Sequence, residues 1–166
     1  MDEQIDIIKK KEYHQNKEYY LNLIKDAYNA DDDLVFNFES TKKHLDIIFK
    51  EDTLNDAFLL IIKNDKELIS MVNFFQYDRL KNYWSLFVLY TNRKYRRSGY
   101  GEKIMHIGLN KLKEGKAKML ISGIEEANIQ SIELHKKIGF IDSGKKWDEV
   151  AEGFPKNHKC FIYNFD

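Results

Sequence analysis

The sequence predicts an α/β (α+β) fold, a mixed and mainly antiparallel central sheet flanked by helices. Apolar residues recur first at helical spacing, then in three runs rich in β-branched and aromatic residues, then in a strand and helix alternation. No internal repeat, low-complexity tract or linker divides the 166 residues, so residues 1–166 are expected to form a single domain.

Gln4 to Lys9 alternates enough for a first strand. From Gln15 to Ala30, the positions Tyr20, Leu23, Ile24, Ala27 and Tyr28 fall on one helical face, and Asn29 with Asp31 to Asp33 marks the stop. A second helix is expected ahead of Leu45, Ile48 and Phe49, capped by Ser40 or Thr41. The segment from Asp56 to Asp78 reads as two strands joined at Asn64 and Asp65, and Tyr83 to Thr91 extends the meander. After Gly99 the period changes, with Ile104, Gly108, Leu109 and Leu112 on one face of a helix. A short strand at Ala117 to Ser122 and a helix from about Asn128 to Ile138 follow, Gly139 being suited to a left-handed cap. Phe140 to Ser143 and His158 to Phe165 are the last strands, separated by a polar stretch with Gly153 and Pro155. Helical crossovers in the second half suit a sheet that is antiparallel first and mixed later.

Twenty-seven basic and 27 acidic residues give zero formal net charge, so no molecule-wide field draws the chain to nucleic acid or an acidic membrane. Any anion site must be local. The single cysteine, Cys160, has no internal partner and reads as a half-buried strand residue in a reducing compartment. No apolar run approaches a bilayer span and the acidic start does not resemble a signal peptide, so a cytoplasmic location is expected. Histidines 14, 44, 106, 135 and 158 lack ligand spacing, and no metal site is expected.

RRSGYG, residues 96–101, is where local charge and backbone freedom coincide. Running from a strand end into a helix start, this stretch would turn several N–H groups into one bend, and Gly99 and Gly101 would let a ligand approach without a Cβ. Arg93, Lys94, Arg96, Arg97 and Lys103 add positive charge, diluted by Glu102. The combination suits phosphate. No Gly-Lys-Ser or Gly-Lys-Thr follows, and G-Y-G is not the full dinucleotide pattern.

NRKYRRSGYGEKIM resembles the coenzyme A signature of the GCN5-related N-acetyltransferases (GNAT), with Arg96, Gly99 and Gly101 matching its core. NIQSIELHKKIGF resembles the second signature of that family at Asn128, Ser131, Leu134, Gly139 and Phe140. The two motifs span roughly residues 84–141.

The resemblance implies transfer of an acyl group, usually acetyl, from coenzyme A to an amine, with acetyl-CoA as acyl-donor cosubstrate and a small-molecule or peptide amine as acceptor. It implies that the pyrophosphate rests on backbone amides of Arg97, Ser98, Gly99, Tyr100, Gly101 and Glu102, with Arg96 beside them. It places the pantetheine arm along Leu89, Tyr90 and Thr91, with Asn128 and Ser131 helping to hold it. Family members often dimerise, so a homodimer is a possible assembly. A coenzyme-binding regulatory module of the same fold is the alternative.

Amine acylation needs a base for the ammonium and a proton for the departing thiolate. The family often uses a carboxylate on the central strand, and the matching position is Ser85, which has no useful basicity. Glu125 and Glu126 are the candidate bases, with a surface decoration as their plain alternative. Where the family usually has tyrosine as the acid, this sequence has His135, with a packing or exposed helix residue as its plain alternative. Phe74, Phe75 and Tyr77, facing Phe36, Phe38 and Glu39, are candidate walls of an acceptor pocket, and Glu39 with Asp31 to Asp33 is a candidate attractor for a cationic amine.

Overall fold

Seven strands form one sheet in the order β1-β2-β3-β4-β5-β7-β6. The computed structural model describes residues 2–32, 36–51, 55–76, 82–150 and 156–166. β1 (Gln4–Lys9), β2 (Ala57–Lys63), β3 (Leu68–Gln76) and β4 (Tyr83–Thr91) make an antiparallel meander. β5 (Met119–Glu125) joins β4 in parallel, while β7 (His158–Asn164) inserts antiparallel between β5 and β6 (Ile141–Lys146).

Helices cover both faces, which explains why β2 is buried at six successive positions and lacks a polar side. On one face, α1 (Lys10–Gln15), α2 (Lys17–Asn29) and α3 (Phe38–Ile48) pack over a core that includes Tyr13, Ile24, Leu45, Leu59 and Tyr90. On the other, α4 (Tyr100–Glu114) and α5 (Ile129–Ile138) cover Phe58, Phe74, Trp84, Leu120 and Phe161. α4 lies close because Gly108 has no Cβ, which would come within 2.4 Å of the Phe74 ring.

The helix expected over 15–30 is α2, preceded by a short helix, α1, that was not expected. α1 starts directly after β1, and the backbone breaks at Asn16, whose N–H returns to the carbonyls of Glu12 and Tyr13. α3 begins earlier than expected: Asn37, not Ser40 or Thr41, is its cap, the Oδ1 accepting the Ser40 N–H at 2.9 Å. The strand expected at Ala117 to Ser122 is displaced to Met119–Glu125 by its pairing with β7. A four-residue α6 (Trp147–Val150) stands in the stretch read as polar loop, and Trp147 covers Gly123, where a Cβ would approach its ring to 2.7 Å. Asp33, Tyr77, Gly153 and Pro155 lie outside the described residues.

Candidate functional site

β4 and β5 pair only at Tyr83 with Met119, Trp84 with Leu120 and Ser85 with Ile121, and then part. The parting coincides with a bulge in β4. Its register with β3 shifts so that Val72 faces Leu89 while Asn73 faces Phe87, leaving Val88 unpaired at φ 49°. A β-branched residue in that region is strained, and the bulge redirects the strand away from β5. The separated ends open into a cleft of about 1240 Å³ between β4, β5, α4 and α5.

The cleft runs to the N-terminus of α4. Gly99 is the cap residue at φ 83°, with no side chain capping the helix, so first-turn N–H groups remain for an external acceptor. α5 differs: the Asn128 side chain accepts the Ser131 N–H at 3.1 Å and closes that end. Arg97 is also left-handed, at φ 62°, so two such residues fold the 96–101 turn back on itself. Below it, Asn92 donates to the Leu68 carbonyl at 3.0 Å and accepts from the Lys94 N–H at 3.2 Å. The Tyr95 hydroxyl donates to Glu67 at 2.8 Å, and its ring meets Tyr100 edge-on at 5.8 Å. The loop is thus tied to β3 and its turn.

The positive charge of the loop is largely matched. Arg93 pairs with Asp32 and Lys94 with Glu67, each at 2.8 Å, and Lys103 pairs with Glu3. Arg96 donates through Nη2 to Asp31 at 2.5 Å and through Nε to the Thr91 carbonyl at 3.0 Å, over the Phe36 ring. Asp31 also accepts from the Tyr90 hydroxyl at 3.1 Å and its side chain is 1% exposed, so it anchors the loop and does not attract an amine. Arg97 is exposed and makes no ion pair among the described residues. Glu102 is drawn to Lys137 at 2.6 Å, which holds its carboxyl below the usual range and offsets an anion at the helix start.

Of the residues expected to hold the coenzyme, Leu89 and Thr91 from β4 and Arg96, Arg97 and Gly99 from the loop line the cleft. Tyr100, Gly101 and Glu102 complete that wall, with Asn128 and Ser131 opposite. Tyr90 turns its ring into the core beneath α2, and Ser98 stays in the exposed turn. Gly101 sits where a Cβ would be 3.2 Å from Leu134 and 3.7 Å from Thr91 Oγ1, so the cradle depends on its absence.

The expected catalytic residues are not brought together. Ser85 is 1% exposed and donates its hydroxyl to the Ile121 carbonyl at 3.3 Å. Glu125 reaches the cleft and accepts from Asn157 at 3.2 Å, whereas Glu126 is paired with Lys146. His135 is 1% exposed, its ring between Phe140 and Phe161, and it does not line the cleft. Its Nδ1 lies 2.7 Å from the Ser131 carbonyl, which can only accept, so Nδ1 carries the proton and Nε2 accepts from Ser122 Oγ at 3.1 Å. Desolvation pushes its pKa down to about 4, against the opposing Ser131 bond. The expected acid is therefore a neutral, buried ring, since its side of α5 faces β5 and β7.

The aromatic group also divides. Phe74 is in the α4 core, Phe75 is on the opposite face, and Phe36 lines the coenzyme-side cleft. Phe38 receives Lys25 at 5.8 Å, and Glu39 is exposed in the first turn of α3. The Val88 bulge carried no signal, because the valine reads as an ordinary strand residue.

Residues 18–140 match the model of the acetyltransferase (GNAT) family. No curated protein matches the sequence. Among solved structures, an acetyltransferase of Streptococcus agalactiae 2603 is 14% identical, with 97% of this chain and 98% of that one covered at a TM-score of 0.71. A GNAT-family acetyltransferase of Staphylococcus aureus Mu50 is 17% identical over 98% and 100% of the two chains, at 0.68. The PaiA N-acetyltransferase of Thermoplasma acidophilum, solved with coenzyme A, is 12% identical over 99% and 100%, at 0.66. These likenesses carry the fold, and the family match covers well over half the sequence, including the parted strands, the glycine turn and the second signature. The chain belongs to the acetyltransferase (GNAT) family.

Proposed function

We propose that the protein transfers an acetyl group from acetyl-coenzyme A to a primary amine. The observation that carries this reading is the continuity of the β4 and β5 parting with the uncapped start of α4 at Gly99 and Gly101. An extended, amide-bearing arm can satisfy backbone groups left open by the separating strands, and a pyrophosphate can satisfy the helix N–H groups. Arg96 stays at the end of β4, because withdrawing it would break its ion pair with buried Asp31. It presents a guanidinium charge from a fixed position, while exposed Arg97 supplies the more adaptable charge.

The acceptor is a small-molecule or peptide amine, and its nitrogen must be neutral to attack. Of the two candidate bases, Glu125 lines the cleft, bonded to Asn157, while Glu126 is paired with Lys146. His135 would serve as acid only by leaving its present bonds. The buried Ser85 hydroxyl and inward His135 favour a second reading, a coenzyme-binding module with weak or no turnover.

Calorimetry with acetyl-coenzyme A is expected to give micromolar binding, and thiol release is expected when an amine panel is supplied. No detectable binding of the coenzyme would sink both readings. Binding without turnover across polyamines, aminoglycosides, amino acids and peptide N-termini would select the second.

A further inference from the structure

Of the two carboxylates considered as bases, Glu125 is engaged by Asn157 and Glu126 by Lys146, so the proton of the ammonium needs another acceptor. The cleft is lined mainly from the 93–102 loop and start of α4 and from the 125–134 stretch of β5 and α5, so a donor in it leaves the face of the sheet under α1 to α3 open to an acceptor. On that face, Ser85 is bound to Ile121, and the next outward position along β4 is Phe87, immediately before the Val88 bulge. The imidazole of His44, from α3, stacks on the Phe87 ring with centroids 4.6 Å apart and planes 23° from parallel.

The surroundings of His44 orient it. Its Nδ1 is 2.7 Å from the Ser40 carbonyl, one helical turn earlier. A carbonyl has no proton to give, so Nδ1 is the protonated nitrogen and Nε2 carries the lone pair. Ser40 is fixed in turn by its N–H bond to the Asn37 cap. The residue is exposed, and it makes no ion pair among the described residues. The ring therefore has one nitrogen committed to the backbone and one available to solvent or a ligand. This contrasts with His135, whose nitrogens are both engaged in the core.

We propose that His44 is the general base of acetyl transfer, an inference that rests on the acetyltransferase reading above. Nε2 accepts a proton from the acceptor ammonium, directly or through one water, and leaves a neutral amine. The nitrogen lone pair forms a bond to the thioester carbonyl carbon, and collapse of the tetrahedral adduct breaks the carbon–sulfur bond. The electron pair of that bond departs with coenzyme A as thiolate. The second proton shed by the nitrogen reaches the thiolate through solvent, and the imidazolium returns its proton to solvent. The balance is one ammonium and one thioester giving one amide, one thiol and one proton. Phe87 acts as the positioning surface for the ring, one residue before the Val88 bulge and two before Leu89, which lines the cleft.

The test measures thiol release from acetyl-coenzyme A with spermidine, lysine methyl ester and alanyl-alanine, using the acceptor that wild type turns over fastest. His44→Ala is expected to lower kcat by about 100-fold, with KM for acetyl-coenzyme A changed by less than about twofold. Added imidazole at tens of millimolar is expected to restore at least about tenfold of that loss, without accelerating wild type. His44→Gln, which keeps bulk beside Phe87, should lose as much kcat as the alanine variant and serves if the latter is misfolded by circular dichroism. Wild-type kcat in His44→Gln, or a loss that imidazole leaves untouched, overturns the base assignment while the coenzyme reading stands. Wild type that binds acetyl-coenzyme A but releases no thiol with all three amines overturns both the transferase reading and the role of His44. Failure to bind acetyl-coenzyme A overturns the reading at its root.

Discussion

The His135 ring is neutral because nothing in its surroundings repays a charge. Phe140 and Phe161 flank it, Ser122 supplies a hydroxyl, and the Ser131 carbonyl holds the single proton. Burial brings the folded-state pKa from 6.5 to about 4. Above the higher value both folded and unfolded chains carry the neutral ring, and no stability is at stake. Between the two values only the unfolded chain takes up a proton, so stability falls as pH falls; below the lower value both are protonated and the loss is complete. The full loss is about 3 kcal/mol from this residue. Urea unfolding of wild type and His135→Gln at pH 7 and pH 4.5 measures it, because other titrations cancel in the difference. Wild type is expected to lose about 2 kcal/mol more than the variant over that interval. An equal loss in both would mean that solvent reaches the ring. The sequence carried the identity of this departure from the family, as it did for Ser85, but not its direction. Which face of α5 meets β5 and β7 depends on strands distant in sequence, and the same ring could have faced the cleft one position along the helix.

The turn at residues 96–101 joins local and distant requirements. Gly99 was legible because the φ it adopts, 83°, disfavours a Cβ. Gly101 was legible for a different reason that only packing specifies: the space it leaves is bordered by Leu134 of α5 and Thr91 of β4. Gly101→Val places three carbons there, against a half-buried leucine and in the path of a ligand approaching the helix start. It is expected to weaken acetyl-coenzyme A binding by at least about 100-fold in calorimetry, as donors in the first turn become inaccessible. Circular dichroism should remain native, since Gly101 is outside the fully buried core. Unchanged affinity would reduce the turn to a surface connection. Elsewhere, element boundaries missed by the sequence have specific causes. Asn37 caps α3 because its side chain reaches Ser40, whereas Ser40 looked equally suitable by residue type. The bulge at Val88 requires the register of β3 against β4, and no property of LFVLYT indicates the slipped pair.

At the scale of the molecule, the pairing of β1 with β2 crosses three helices, whereas the meander β2 to β4 was readable from β-branched and aromatic runs and turn chemistry, because its pairings link neighbours in sequence. The insertion of β7 between β5 and β6 was not, since it brings the last strand to a partner some forty residues earlier. That topology has a mechanical consequence. Three parallel residue pairs between β4 and β5 are the direct sheet contact between the β1 to β4 and β5 to β7 halves, with α4 and α5 packed across them. A ligand that occupies the parting and engages both strands binds the folded chain alone and strengthens this seam. At a free concentration 100 times its dissociation constant, it contributes about 2.7 kcal/mol. For a domain of this size that corresponds to a rise in Tm of roughly 5 to 10 °C. Hydrogen exchange with acetyl-coenzyme A should locate the gain at backbone amides of 86–91 in β4, 99–103 at the start of α4 and 122–125 in β5. Amides of β1 and β2 should change only as far as global unfolding sets their exchange. A Tm rise with protection confined to the 96–101 turn would mean that the phosphates bind while the arm stays outside the parting, and the seam would then have no part in holding the donor.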